Sequence, residues 1–99
     1  MRYIMLLAGI MLSVTQVQAA DTNAGQRLSA SCVACHGQKG ISTNPLYPNL
    51  AGQKQAYLVK QMRDFKTGQR QDPVMSAMVK SLDEEAMNNI AAYYSQLGN

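Results

Sequence analysis

The stretch Cys32-Val33-Ala34-Cys35-His36 carries the side chains of this sequence that are best suited to chemistry. Two thiols separated by two residues can add to the two vinyl groups of a haem and form thioethers, while the next imidazole binds the iron. This spacing is the attachment pattern of a c-type haem, with Cys32 and Cys35 as covalent anchors and His36 as the proximal ligand. We therefore predict one covalently bound haem c.

A Cys-X-X-Cys pair has other uses, namely a redox-active disulfide, a structural disulfide or half of a zinc site. The chain has two cysteines and one histidine, so a tetrahedral zinc site would lack a fourth protein ligand. A thioredoxin-like motif is surrounded by a βαβ pattern, whereas a Gly-containing loop and helical patterns follow His36 here. Two cysteines in an exported chain usually form a disulfide, but beside His36 they are better assigned to thioethers.

The first twenty residues have the pattern of a secretory signal peptide. An apolar run extends from Ile4 to Val14, which is shorter than the roughly 20 residues that a bilayer span needs. Small residues then favour cleavage after Ala19 or Ala20, and an uncleaved N-terminal anchor is the alternative. The predicted organisation is a signal peptide at 1–20 and one periplasmic domain at 21–99.

The size and charge of the domain limit what it can do. The 99 residues have a formal net charge of +3, and one of the basic residues, Arg2, leaves with the signal peptide. No run of basic residues is present, so nucleic acid is not an expected partner. A domain this small buries little apolar surface, and a haem could supply the centre of its core.

Hydrophobic periodicity predicts an all-α fold without a strand of useful length. Between the first and second helices, Pro45 and Pro48 restrict a polar loop at 37–52, so a carbonyl there can be held in one direction. The predicted elements are a short helix from the capping residues 21–23 to about 31, a helix at 53–67 ended by Gly68, a helical turn begun by Asp72-Pro73, and a last helix from the acidic residues 83–85 to about 97.

With these pieces in place, the chain resembles the class I cytochromes c, most closely one half of a diheme cytochrome c4, and is cytochrome c553-like. The resemblance covers residues 23–97, and one departure is plain, because a single Cys-X-X-Cys-His makes this a monohaem chain. The motifs that carry it are Cys32-Val33-Ala34-Cys35-His36-Gly37, Tyr47-Pro48-Asn49-Leu50-Ala51-Gly52-Gln53, Asp72-Pro73-Val74-Met75-Ser76-Ala77-Met78 and Ala91-Ala92-Tyr93.

The resemblance implies a small cytochrome c fold, with three to five helices wrapped around the haem. It implies that the carbonyl of Pro48, twelve residues after His36, accepts a hydrogen bond from the outer nitrogen of that ring, which tunes the potential. It implies a methionine as sixth ligand, which we assign to Met75, with Met78 as the alternative. It also implies a close crossing of the first and last helices at Gly25 and Tyr93.

With both axial positions filled by protein, the expected function is one-electron transfer and not enzymatic catalysis. We expect a periplasmic carrier between respiratory-chain donors and a terminal oxidase or reductase, with small, transient contacts to these redox proteins. Membrane contact is expected only through partner complexes or an uncleaved anchor. The alternatives are a haem c subunit of a dehydrogenase complex, or a gas-binding or peroxidatic haem protein without the methionine ligand.

Overall fold

The computed structural model describes residues 3–5, 8–12 and 19–98, and its helices lie in the last of these ranges. No β-strand occurs in the described ranges, so the prediction of an all-α fold is confirmed. None of the helices in this part of the chain has the length and apolar content needed to cross a membrane. The helices are α1 (Thr22–Leu28), α2 (Val33–His36), α3 (Gln55–Thr67), α4 (Pro73–Val79) and α5 (Glu84–Ser95), and a 3₁₀ turn (Ser29–Ser31) joins α1 to α2.

Much of the predicted signal peptide lies outside the described residues, which omit 1–2, 6–7 and 13–18. The signal peptide at 1–20, its cleavage after Ala19 or Ala20 and the domain boundary therefore stay predictions.

Aspartate side chains begin α1, α4 and α5. Each accepts hydrogen bonds from backbone N–H groups of the first turn, which have no partner inside the helix. Asp21 accepts from Asn23 and Ala24, and Asp72 accepts from the second and third residues of its helix. Asp83 accepts from the N–H of Ala86 at 2.8 Å. These three helices thus begin where the sequence predicted, and the capping residue of each is an aspartate.

Helix α3 begins two residues later than the pattern predicted. Gln53 belongs to the preceding turn, because its N–H donates to the carbonyl of Leu50 at 3.2 Å. The side chain of Gln53 accepts from the N–H of Lys54 at 2.8 Å, which holds the chain in a non-helical turn before the helix. Gly68 ends α3 with a φ of 84°, a left-handed conformation that glycine adopts without a steric cost.

Helices α1 and α5 cross at close range. A Cβ atom on Gly25 would overlap with the backbone carbonyl of Asn89, so only glycine allows this approach. The overlap falls one helical turn before Tyr93, the residue expected at the crossing. The Asp21 N–H also donates to Asn89 Oδ1 at 2.9 Å, which joins the start of α1 to the middle of α5.

The main hydrophobic cluster lies between α3 and α5, and Cys32 of the haem motif packs against its edge. Helix α4 packs on α3. The buried members of the cluster are Leu58, Val59, Ile90, Ala91, Tyr93 and Tyr94.

Candidate functional site

The haem motif lies on a single turn of helix. The N–H of His36 donates to the carbonyl of Cys32 at 2.9 Å, and the N–H of Gly37 donates to that of Val33 at 2.9 Å. Residues three and four apart share one face of a helix, so Cys32, Cys35 and His36 are neighbours. The turn ends at Gly37, whose φ of 85° reverses the chain toward the loop at 37–52.

His36 is buried, with 7% of its surface exposed, and its outer nitrogen is paired. The Nδ1 atom lies 2.8 Å from the carbonyl oxygen of Pro48. A carbonyl oxygen can only accept a hydrogen bond, so Nδ1 carries the proton and is the donor of the hydrogen bond to the Pro48 carbonyl. The neutral ring then has its lone pair on Nε2, which is the arrangement that a metal-binding histidine needs.

The two thiols of the motif are free and half-buried. Burial raises the pKa of the Cys32 thiol above its ordinary value. Unpaired thiols on one turn, beside a histidine whose Nε2 is available, form a donor set that fits a covalently attached haem.

Tyr94 is a residue of this site that the sequence analysis did not identify. Its side chain is 1% exposed, and its hydroxyl lies beside Ser29 and Cys32. The hydroxyl is buried, and no described residue stands at hydrogen-bonding geometry to it. Burial raises the pKa of Tyr94 to about 12. A buried hydroxyl without a well-formed hydrogen bond costs about 1–3 kcal/mol, and Ser29 and Cys32 are the polar neighbours that interact with this one.

Periodicity alone could not have identified this hydroxyl. Helical spacing along α5 is compatible with either Tyr93 or Tyr94 on the apolar face, and both residues are buried. The position of the hydroxyl beside Cys32 depends on how α5 crosses α1, which has no sequence signal of its own.

Met75 and Met78 lie on α4, which is a different element from the helical turn that carries His36. Asp72 accepts from the N–H of Met75 at 2.9 Å and fixes the start of this helix. Met75 is half-buried, whereas Met78 is 39% exposed. Backbone and side-chain hydrogen bonds thus bring His36 together with Cys32 and Pro48, while Met75 is carried by a separate element that packs on α3.

Comparison with known proteins gives a family match over nearly all of the described domain. Residues 22–98 match the Cytochrome c family. The crystal structure of reduced recombinant cytochrome c4 from Pseudomonas stutzeri superposes with a TM-score of 0.76 at 39% identity, covering 81% of this chain and 47% of that chain. The predicted cytochrome c fold is therefore confirmed.

Three relatives illustrate which proteins this chain is similar to in sequence. Cytochrome c4 of Pseudomonas aeruginosa is 44% identical over 77 residues, which are 78% of this chain and 38% of that protein. Cytochrome c-554(548) of Halomonas halodenitrificans is 41% identical over 80 residues, which are 78% of this chain and 96% of that protein. A thiosulfate dehydrogenase electron acceptor of Thiomonas intermedia is 46% identical over 71 residues, 70% of this chain and 32% of that protein.

The lengths of these relatives differ in an informative way. The chain spans less than half of the cytochrome c4 proteins that it matches but nearly all of cytochrome c-554(548). Its resemblance to one half of a cytochrome c4 is therefore confirmed at the level of the domain.

Proposed function

Because the chain belongs to the cytochrome c family, we propose that it is an exported monohaem carrier of single electrons between redox proteins. Domains of this family bind haem c covalently, and Cys32 and Cys35 are in place for the two thioether bonds. The observation that carries the proposal is the buried His36 ring, whose Nδ1 is held by the Pro48 carbonyl, so that Nε2 is the nitrogen left for iron. A ring fixed in this way is prepared as a permanent axial ligand.

Each residue of the proposed site has one task. Cys32 and Cys35 bind the haem, and His36 Nε2 binds its iron. The hydrogen bond to Pro48 orients the imidazole and makes it a stronger electron donor. Haem c supplies reversible one-electron exchange between Fe(III) and Fe(II). Met75 is proposed to fill the sixth position, so that small molecules are excluded and transfer to a partner is the remaining chemistry.

We place the carrier in the periplasm because of the apolar leader at 4–14 and the small residues at Ala19 and Ala20. Its proposed partners are donors and acceptors of respiratory chains, met through small and transient contacts. A terminal oxidase or a reductase is the proposed acceptor. No nucleic acid is proposed as a partner, since the sequence contains no run of basic residues.

A second role within electron transfer is favoured by one relative. The Thiomonas intermedia protein is named as the electron acceptor of a thiosulfate dehydrogenase and is 46% identical to this chain. The chain could serve a dehydrogenase in the same way, either as a diffusing acceptor or as a bound haem c subunit. Co-purification with a dehydrogenase at stoichiometric ratio, stable to gel filtration, would establish the bound subunit in place of the free carrier.

The carrier is tested with the full chain produced in cells that attach haem c. Intact mass should show the polypeptide after signal-peptide removal plus one haem and no disulfide. Its oxidised spectrum should contain the near-infrared band of Fe(III)–methionine ligation, and the reduced protein should not bind carbon monoxide. If the band is absent and carbon monoxide binds, a gas-binding or peroxidatic haem protein replaces the carrier.

A further inference from the structure

The loop that carries Pro48 is closed at its base by backbone hydrogen bonds. The carbonyl of Gly40 accepts from the N–H groups of Leu50 at 2.8 Å and Ala51 at 3.0 Å. Between these points, residues 41–49 form neither helix nor strand, and Pro48 is exposed. No regular backbone ladder therefore fixes the direction of the Pro48 carbonyl, although His36 depends on it.

Ser42 connects the loop to the haem motif. Its Oγ lies 3.2 Å from the carbonyl oxygen of Cys35 and 2.9 Å from that of Asn44. One hydroxyl has a single proton, so these two carbonyls share it. The same Oγ accepts from the N–H of Asn44 at 3.1 Å. Ser42 thus contacts Asn44 within its own loop and the backbone of Cys35 in the haem motif.

Asn49 connects Ser42 to Pro48. The N–H of Ser42 donates to Asn49 Oδ1 at 2.7 Å, and Asn49 directly follows Pro48 in the chain. Cys35 directly precedes His36, so these contacts form a closed circuit of hydrogen bonds. The circuit runs from Cys35 O to Ser42 Oγ, from Ser42 N to Asn49 Oδ1, and from Pro48 O back to His36 Nδ1.

We propose that Ser42 and Asn49 are positioning residues that hold the Pro48 carbonyl on His36 Nδ1 and thereby set the reduction potential. We call the pair the Ser42–Asn49 clasp. The proposal rests on the proposed haem ligation by His36. Opening the clasp removes the side-chain contacts of Ser42 or Asn49, while the bonds from the N–H groups of Leu46 and Tyr47 to Asn44 remain. The Pro48 carbonyl is then held less firmly and leaves Nδ1 for part of the time.

The electronic consequence has a definite sign. A histidine that donates from Nδ1 is a more basic ligand and favours the higher oxidation state of the metal. When the Pro48 bond is weakened, Fe(III) loses part of this preference and the reduction potential rises. A merely structural role for Ser42 and Asn49 would lower the stability of the loop without moving the potential in this direction.

The test uses the haem-loaded full chain with Ser42→Ala and, separately, Asn49→Ala. Two quantities are measured, the reduction potential and the rate at which the His36 Nδ1 proton exchanges with solvent, by NMR of the reduced protein. Both variants should raise the potential. Both should speed the exchange by up to about tenfold, the factor that corresponds to the loss of one ordinary hydrogen bond. If Asn49→Ala does not accumulate, Ser42→Ala alone decides.

Matched controls separate the clasp from general loosening. Ser42→Thr keeps the hydroxyl and the N–H, so its potential and exchange rate should match those of the wild type. Ser95→Ala and Asn88→Ala each remove a side-chain hydrogen bond on α5, to Ala92 O and Glu84 O, and should change neither quantity. The proposal would be overturned if both clasp variants kept the wild-type reduction potential and the wild-type exchange rate of the His36 Nδ1 proton. It would also be overturned if the exchange became faster while the reduction potential did not change.

The exchange measurement also separates the failure of the clasp from the failure of the carrier. The His36 Nδ1 proton reports the Pro48 bond whether or not Met75 fills the sixth position. A wild type that binds carbon monoxide would remove the carrier function, while the comparison of exchange rates would still decide on the clasp.

Discussion

At the scale of single residues, one proton decides which atom of His36 can bind iron. Nδ1 donates to Pro48 at 2.8 Å, so Nε2 is the free nitrogen. A histidine that was paired through Nε2 would be unsuited to this site, whatever its place in the motif. The chemistry therefore depends on a backbone carbonyl twelve residues away, and not on the motif alone.

The sixth ligand is predicted to be Met75. Met75→Ala should lose the Fe(III)–methionine absorption band, bind carbon monoxide when reduced, and lower the reduction potential, because a thioether favours Fe(II). Visible and near-infrared spectra with a redox titration measure all three effects.

Met78→Ala is the control, three residues further along α4. It should keep the band and lose less than about 2 kcal/mol of stability, since Met78 is 39% exposed and truncation of a fully buried methionine costs more. Loss of the band in Met78→Ala with its survival in Met75→Ala would move the ligand by three residues.

The effect of Tyr94→Phe on stability shows whether the buried Tyr94 hydroxyl gains a hydrogen-bond partner when haem is bound, and we predict that it does. If this group finds an acceptor beside Cys32 in the haem-loaded protein, Tyr94→Phe should lower the free energy of unfolding by about 1 kcal/mol. If the hydroxyl stays unpaired, phenylalanine should be neutral or stabilising. Denaturant unfolding measures the difference, and Tyr57→Phe, at a tyrosine that is 48% exposed, is the matched control.

Tyr94 also predicts a loss of stability at alkaline pH. Its pKa is raised from 10.0 to about 12 because burial disfavours the phenolate. The unfolded chain therefore releases this proton first, and the contribution of Tyr94 to stability is complete below pH 10 and falls as the pH rises toward 12. Unfolding curves across this range should show the decline, and Tyr94→Phe should make it shallower. An equal pH dependence of the free energy of unfolding in the wild type and in Tyr94→Phe would contradict the assignment of this decline to Tyr94.

At the scale of elements, the crossing of α1 and α5 determines how closely the site can be assembled. Gly25→Ala should destabilise the protein by about 1–3 kcal/mol, because the new methyl group meets the Asn89 carbonyl and forces the two helices apart. Thermal or denaturant unfolding measures this loss. Gly98→Ala is the control, since no atom lies within 4 Å of its Cβ position, and it should stay within about 0.5 kcal/mol of wild type. Equal stability of the two variants would show that the crossing relaxes freely.

The elements also show what the sequence could and could not reveal. The haem motif, the aspartate caps and the stop at Gly68 were predictable because each depends on neighbours within one turn. The start of α3 was misplaced by two residues, because Gln53 pairs with the turn before it. The hydroxyl of Tyr94 and the Ser42–Asn49 clasp were missed, since both depend on segments that meet only in the folded chain.

At the scale of the whole molecule, haem and fold are expected to be coupled. The core between α3 and α5 is small, and Cys32 and Tyr94 meet at its edge. A chain with Cys32, Cys35 and His36 all replaced by alanine should therefore not fold stably. Circular dichroism of this variant should show low helicity and no cooperative thermal transition, in contrast to the haem-loaded wild type. Native helicity with cooperative melting would contradict the coupling.

The hydrogen bond from the Asp21 N–H to Asn89 Oδ1 has a consequence for the order of events in time. The two residues are 68 positions apart, so this contact closes a loop that contains most of the domain. Contacts between residues so distant in sequence require a large loop to close, which slows folding. Cys32 and Cys35 precede α5 in the chain, so both thiols are synthesised before Tyr94, which lies beside Cys32 in the folded domain. The order of the chain therefore leaves an interval during synthesis in which the Cys32 thiol is not yet covered by Tyr94, and the arrival of α5 ends that interval.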